Sequence, residues 1–172
     1  MSKVITFATL KGGAGKTMNL FNLAGVLAGR GKSVLLIDVD PQCNLSANCG
    51  IDVADMRFTT VKDIFAKYRA TEQPKATDVI IKHPIHDLPT LDIIPSSILL
   101  FNVEEDITIL EGRTKILKGF LSRNEYTLSI YDYIFIDTNP SMSVFNVNAF
   151  YAADDIIIST DVSSNSISGA EL

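Results

Sequence analysis

Short, predominantly apolar runs alternate along this chain with stretches of helical period. Residues 4–8, 33–37, 91–94, 133–136 and 156–159 are each only a few residues long and mostly β-branched or aromatic, which predicts strands. Their apolar positions are continuous rather than alternating, as expected where helices cover both faces of a parallel sheet. Between the first two runs, Leu20, Leu23, Ala24 and Leu27 fall at i, i+3, i+4 and i+7, one face of a helix that stops near Gly29 or Gly31. Residues 60–67 and 96–122 carry further helical segments, the second broken near Gly112. Strands separated by helices predict an α/β fold, a parallel β-sheet flanked by helices with right-handed crossovers. Residues 70–89, with Pro74, Pro84 and Pro89, form a loop-rich insert with one short strand expected at 79–81. Residues 159–168 are polar, and 167–172 read as the start of a helix without a stop signal. We therefore expect a single domain over residues 1–172, the N-terminal portion of a longer one and truncated at its C-terminus.

Composition adds exclusions. A hydrophobic content of 47% and a mean hydropathy of +0.22 fit a well-buried sheet. No apolar stretch reaches the roughly 18 residues of a membrane span, and no signal peptide is recognisable. Two cysteines, Cys43 and Cys49, are too few for a disulfide framework, so a cytoplasmic protein is expected. A net charge of −5 argues against a surface that attracts nucleic acid everywhere.

The chemistry begins at Thr9-Leu10-Lys11-Gly12-Gly13-Ala14-Gly15-Lys16-Thr17, directly after the first strand and opening the first helix. Three glycines let the backbone wind into a nest whose N–H groups converge on an anion, and the helix N-terminus adds its dipole. Lys16 is then placed for the β- and γ-phosphates, and the Thr17 hydroxyl for Mg²⁺. A plain glycine-rich turn accounts for the glycines but not for Gly-Lys-Thr at a helix start. The usual spacing G-x-x-x-x-G-K-[ST] would put glycine at position 10, where this chain has Leu10.

Two aspartate motifs follow strands and fall at the carboxyl ends of the sheet, where ligands of α/β folds collect. Asp38-Val39-Asp40-Pro41-Gln42 follows the second strand, and Asp137-Thr138-Asn139-Pro140-Ser141 the fourth. An aspartate ending an apolar strand beside a phosphate loop suits magnesium binding; a turn-capping role is the alternative for each.

The spacing K-G-G-x-G-K-[ST], with the extra Lys11, resembles the ParA/MinD family of deviant Walker A ATPases. Asp-x-Asp-Pro-Gln is similar to the first switch of its ParA branch. Asn44-Leu45-Ser46, Thr60-Val61-Lys62-Asp63-Ile64, Ile94-Pro95-Ser96 and residues 148–154 also fall in family order. The resemblance implies a P-loop NTPase that binds ATP and Mg²⁺ and hydrolyses ATP. It implies that residues 11–18, Lys11, Gly12, Gly13, Ala14, Gly15, Lys16, Thr17 and Met18, hold the nucleotide. It implies that Lys11 reaches the phosphates of the partner in an ATP-dependent homodimer, that Asp40 orients the attacking water, and that Thr17, Asp38, Asp40 and Asp137 serve the metal. Lys11, Lys16 and Asp40 are then the catalytic set. Plasmid or chromosome partitioning on non-specific DNA, with a ParB-like centromere-binding partner and a nucleoid location, is the implied function. A MinD-like cell-division ATPase and a weakly hydrolysing nucleotide-gated scaffold are the alternatives.

Met18 stands where the family often has a hydroxyl residue, and Asn139 where it usually has proline, which predicts a more flexible second switch. His83 and His86 flank a proline with no third ligand near, so a surface loop is expected there. Cys43 and Cys49 read as ordinary residues. Glu104-Glu105-Asp106 reads as an acidic start to a helix turn, residues 113–118 as a solvated basic helix face, and residues 126–133 as packing around the fourth strand.

Overall fold

The computed structural model describes residues 2–9, 11–54 and 57–160. Its strands are β1 (Lys3–Ala8), β2 (Val34–Asp38), β3 (Leu91–Ile94), β4 (Tyr133–Asp137) and β5 (Asp155–Ile158), the five apolar runs displaced by a residue at most. They form one parallel sheet in the order β3-β2-β4-β1-β5. The helices are α1 (Lys16–Gly29), α2 (Asn44–Asn48), α3 (Val61–Ala66), α4 (Ala76–Val79), α5 (Leu100–Thr108), α6 (Ile116–Arg123), α7 (Glu125–Leu128) and α8 (Val144–Ala152).

Strand β2 shows why the runs are unbroken. Leu35 and Ile37 enter one core and Val34 and Leu36 the other, and all four are inaccessible to solvent. On the first face α3, α5, α6 and α8 pack through Phe65, Phe120 and Phe145; Phe65 and Phe145 meet edge-on at 4.9 Å. On the second, α1 and α2 cover Phe7 and Phe135, whose rings are 5.3 Å apart. Burying each such ring contributes about 1.5–3 kcal/mol relative to leaving it exposed.

Helix α1 buries Leu20, Ala24 and Ala28, so its small residues set how closely it approaches the sheet. Leu23, expected inside, is exposed on the shoulder of that stripe. Helix α3 starts where Thr60 and Asp63 cap one another reciprocally. The long helical stretch breaks at Gly112 into α5 and, after a 3-10 turn at Arg113–Lys115, α6.

The strand expected at 79–81 is absent. Val79 closes α4, and Ile81 makes only an isolated antiparallel bridge with Ile93. Local capping decides this: Lys75 N–H donates to Asp78 at 2.8 Å and Ala76 N–H to Asn124 Oδ1 at 2.8 Å, which starts a helical turn despite the β-branched residues. The acidic run at 104–106 lies in the second half of α5, not its first turn. Glu104 Oε1 instead accepts from Val144 N–H at 3.4 Å, so the dipole it complements is that of α8. Tyr131 is buried near β4, whereas Tyr126 is fully exposed. The expected helix start at 167–172 lies outside the described residues. Among the described residues β5 pairs on one side only, with β1, and Ile156, Ile157 and Ile158 are exposed.

Candidate functional site

The strand order decides what meets. Because β4 lies between β1 and β2, the carboxyl ends of these three strands are neighbours, with Asp137 opposite Phe7 on one side and Asp38 on the other. The loop after β1, Asp38 after β2 and Asp137 after β4 are therefore brought together from distant parts of the chain.

The loop itself is an open cradle. Gly13 at φ 83 and Gly15 at φ 75 take left-handed backbone, and Gly15 sits at the N-cap of α1. A Cβ at Gly12 or Gly13 would meet nothing within 4 Å, so the cradle is free of protein atoms on its inner side. Thr9 pins the loop's entry: its Oγ1 accepts from Lys11 N–H at 3.2 Å and donates to Lys11 C=O at 3.0 Å. The cleft is walled by residues 12–18 together with Asp40, Gln42, Asn44 and Pro140. Lys11 is exposed, and so is Met18.

At the cleft floor, Lys16 Nζ donates to Asp137 Oδ1 and, at 3.1 Å, to Thr17 Oγ1. Thr17 Oγ1 in turn donates to Asp137 Oδ2 at 2.7 Å. Lys16 is 5% exposed and Asp137 inaccessible, so this is a buried ion pair with a hydroxyl bridging it. Burial pushes the Asp137 carboxyl above the usual carboxylate range, and the Lys16 charge and the two hydrogen bonds hold it back. A hydroxyl and a carboxylate oxygen within hydrogen-bond distance of one another are hard donors of the kind Mg²⁺ takes, so the residues present fit that ion.

Asp40 is 4% exposed and borders the same cleft. Its Oδ1 accepts from Gln42 N–H at 2.9 Å; burial raises its carboxyl, opposed by that bond and by the charge of Lys16. Asp38, expected in the magnesium shell, lies wholly buried beside Asp137 and accepts three hydrogen bonds from its own loop. Its Oδ2 accepts from Ser46 N–H at 2.9 Å and Ser46 O–H at 2.7 Å, and its Oδ1 from Asp40 N–H at 3.1 Å. Burial and the nearby Asp137 charge push Asp38 up to about 7, against the pull of the Ser46 bonds.

In the second switch Asn139 makes its own hydrogen-bond network. The Asn139 side chain accepts from Ser141 N–H at 3.0 Å and Ser141 O–H at 2.7 Å and donates to Ser143 Oγ at 3.3 Å. Asn146 of α8 donates to Asn139 C=O at 2.7 Å and also to Ser141 C=O. An Asx-type network replaces the fixed φ of a proline. The asparagine's role is visible only once α8 is placed against the loop. Gln42 and Asn44 are cleft residues that sequence reasoning passed over; the αL turn at Cys43 (φ 56) is what swings them round.

The histidines face carboxylates. His83 and Lys82 lie against Asp92, His86 against Asp87, and no group of three metal-ligating residues occurs among the described residues. Both cysteines are buried and unpaired.

A parallel sheet with a glycine loop, lysine and threonine at its carboxyl end, facing an aspartate from the adjacent strand, defines a P-loop nucleotide-binding protein. The sequence profile of the AAA domain family AAA_31 matches residues 2–172, and the chain belongs to that family, within the ParA/MinD group of deviant Walker A proteins. It is 36% identical over 158 residues to the sporulation initiation inhibitor protein Soj of Bacillus subtilis, covering 92% of this chain and 58% of Soj. It superposes with a TM-score of 0.81 and 30% identity on a plasmid partition protein of Borrelia burgdorferi bound to AMPPNP, covering 99% of this chain and 66% of that one. Cobyrinic acid a,c-diamide synthase of Mycobacterium smegmatis, solved with an ATP analogue and magnesium, aligns with a TM-score of 0.80 and 25% identity over 92% of this chain and 60% of that one. The chain thus spans about three fifths of the relatives it matches. No helix among the described residues is long and apolar enough to cross a membrane.

Proposed function

We propose that this chain is the nucleotide-binding part of a Mg-ATP-dependent ATPase that dimerises on ATP and acts in plasmid or chromosome partitioning. The observation that carries the reading is the convergence of Lys16, Thr17 and Asp137 on one floor, with Asp40 at the wall of the same cleft. The AMPPNP-bound partition protein and the magnesium-bound synthase support the choice of ligand.

Bound at Thr17 and Asp137, magnesium would neutralise charge on the β- and γ-phosphates. The protein's own part is positioning. The N–H groups of the loop take the phosphate oxygens, and Lys16 turns from Asp137 to the terminal phosphates. Asp40 holds and orients the attacking water, and Lys11 extends to the phosphates of the second subunit. The dimer would bind DNA non-specifically through regions of the longer protein, and a ParB-like protein would stimulate turnover. Partition function is supported by the Borrelia neighbour and by the Asp-Pro-Gln form of the first switch.

The test is Asp40→Ala. It is expected to bind ATP and accumulate as dimer while phosphate release falls at least about a hundredfold. Equal, poor hydrolysis by wild type and variant, with ATP binding intact in both, refutes the enzyme reading.

A further inference from the structure

Ser46 stands apart from the phosphate cleft, wholly buried, yet it closes a three-way junction under the first switch. Its O–H donates to Asp38 Oδ2 at 2.7 Å, its own N–H reaches the same oxygen at 2.9 Å, and its Oγ accepts from Ser96 N–H at 2.9 Å. The other oxygen of Asp38 takes Asp40 N–H at 3.1 Å. One carboxylate therefore grips both ends of the segment from Asp40 to Ser46, and Ser46 ties that grip to the end of β3.

We infer that Ser46 is a positioning residue for Asp40. Two features of the segment make the role specific. Between the anchors, Cys43 is held at φ 56, a left-handed conformation that costs a non-glycine residue on the order of 1 kcal/mol and persists only where the surroundings enforce it. Among the described residues the hydrogen bond of the Asp40 side chain is to Gln42 N–H, internal to the same segment, so that bond does not fix the segment against the sheet. The external anchor is the backbone bond to Asp38, and the orientation of Asp38 is set by Ser46. The hydroxyl has one proton and spends it on Asp38, leaving its lone pair for Ser96. Alanine keeps the backbone N–H bond to Asp38 but removes the hydroxyl's bond to the same oxygen and the acceptor of the buried Ser96 N–H, which loosens the grip on Asp38. Threonine keeps the hydroxyl.

The inference rests on the reading of Asp40 as the water-orienting group, and its test separates the two. Wild type, Ser46→Ala and Ser46→Thr are compared as full chains by phosphate release, by binding of a fluorescent ATP analogue with Mg²⁺, and by residue-resolved amide hydrogen exchange. For Ser46→Ala, nucleotide affinity is expected to stay within about twofold, while kcat falls about tenfold or more at unchanged KM. Exchange should accelerate at Asp40, Ser46 and Ser96 with residues 11–17 unchanged, and Ser46→Thr should restore both. Wild-type kcat in Ser46→Ala, or affinity and kcat falling together with exchange rising throughout the domain, overturns the positioning role. If Asp40→Ala hydrolyses like wild type, the role of Asp40 fails. The exchange pattern of Ser46→Ala still decides whether Ser46 holds the segment: faster exchange confined to the junction supports it, and no change overturns it.

Discussion

Lysine 16 is expected to matter before any nucleotide arrives. In the structure its ammonium neutralises Asp137, a carboxylate with no solvent access, and both contact Thr17. Lys16→Ala leaves that carboxylate buried with one hydroxyl for company. Removing one partner of a buried ion pair costs about 3–5 kcal/mol. Here Thr17 still donates at 2.7 Å, and Asp137, already raised by burial, can take up a proton. These reliefs bring the expected loss to about 2–4 kcal/mol. For a domain of this size that lowers Tm by roughly 5–15 °C. The assay is urea and thermal unfolding followed by far-UV circular dichroism, in buffer free of nucleotide and magnesium. Asp137→Asn and the double variant complete a cycle. Once Asp137 is an amide, removing Lys16 should cost little, giving a coupling of at least about 1 kcal/mol. A Lys16→Ala protein that no longer binds ATP but unfolds like wild type refutes the reasoning, because the lysine then serves the phosphates alone.

Lys11→Ala should leave nucleotide affinity of the monomer intact and weaken ATP-dependent dimerisation by tenfold or more, on the order of 1.4 kcal/mol; an unchanged dimer in light scattering refutes the role of Lys11. The two thiols offer a pH readout. Burial, reinforced by the charge of Asp38, pushes Cys43 up to about 11 and Cys49 to about 12, against an ordinary 9.0. Both folded values are raised, so the stability tied to the bound protons is present below pH 9 and lost as pH rises towards 11. Native protein should resist iodoacetamide at about pH 8.5, where unfolded thiols react readily. The fall in urea midpoint between about pH 8 and 10 should shrink in Cys43→Ala/Cys49→Ala. Rapid alkylation of the native protein contradicts the burial.

The strands were readable because each is short and predominantly apolar, a pattern that the two cores demand of the central strands β2 and β4. The loop of residues 11–17 was readable because its glycines and its lysine each answer a separate physical need. What escaped is what depends on tertiary neighbours. Val79 and Ile81 favour a strand by composition, yet Asp78 and Asn124 offer the backbone helical bonds. Asp38 ends β2 and Asp40 follows two residues later, but only the structure shows Ser46 donating twice to the Asp38 carboxylate. Asn139 reads as a missing proline until Asn146 and Ser143 are placed beside it. Five residues of α2 are too short for a periodic signal, although they carry Asn44 and Ser46 into place.

The position of β4 between β1 and β2 also sets an order of events during synthesis. The first two strands have no hydrogen-bond partner in one another; β2 can pair with β3, but β1 must wait for residues 133–137. At about 5–20 residues per second, the interval between the emergence of β1 and of β4 is roughly six to twenty-six seconds. Through that time the cradle of residues 11–17 exists without the aspartate that completes it, and β1 stays open to capture by chaperones. Nucleotide binding by a nascent chain would therefore report one event above all, the threading of β4 into the centre of the sheet.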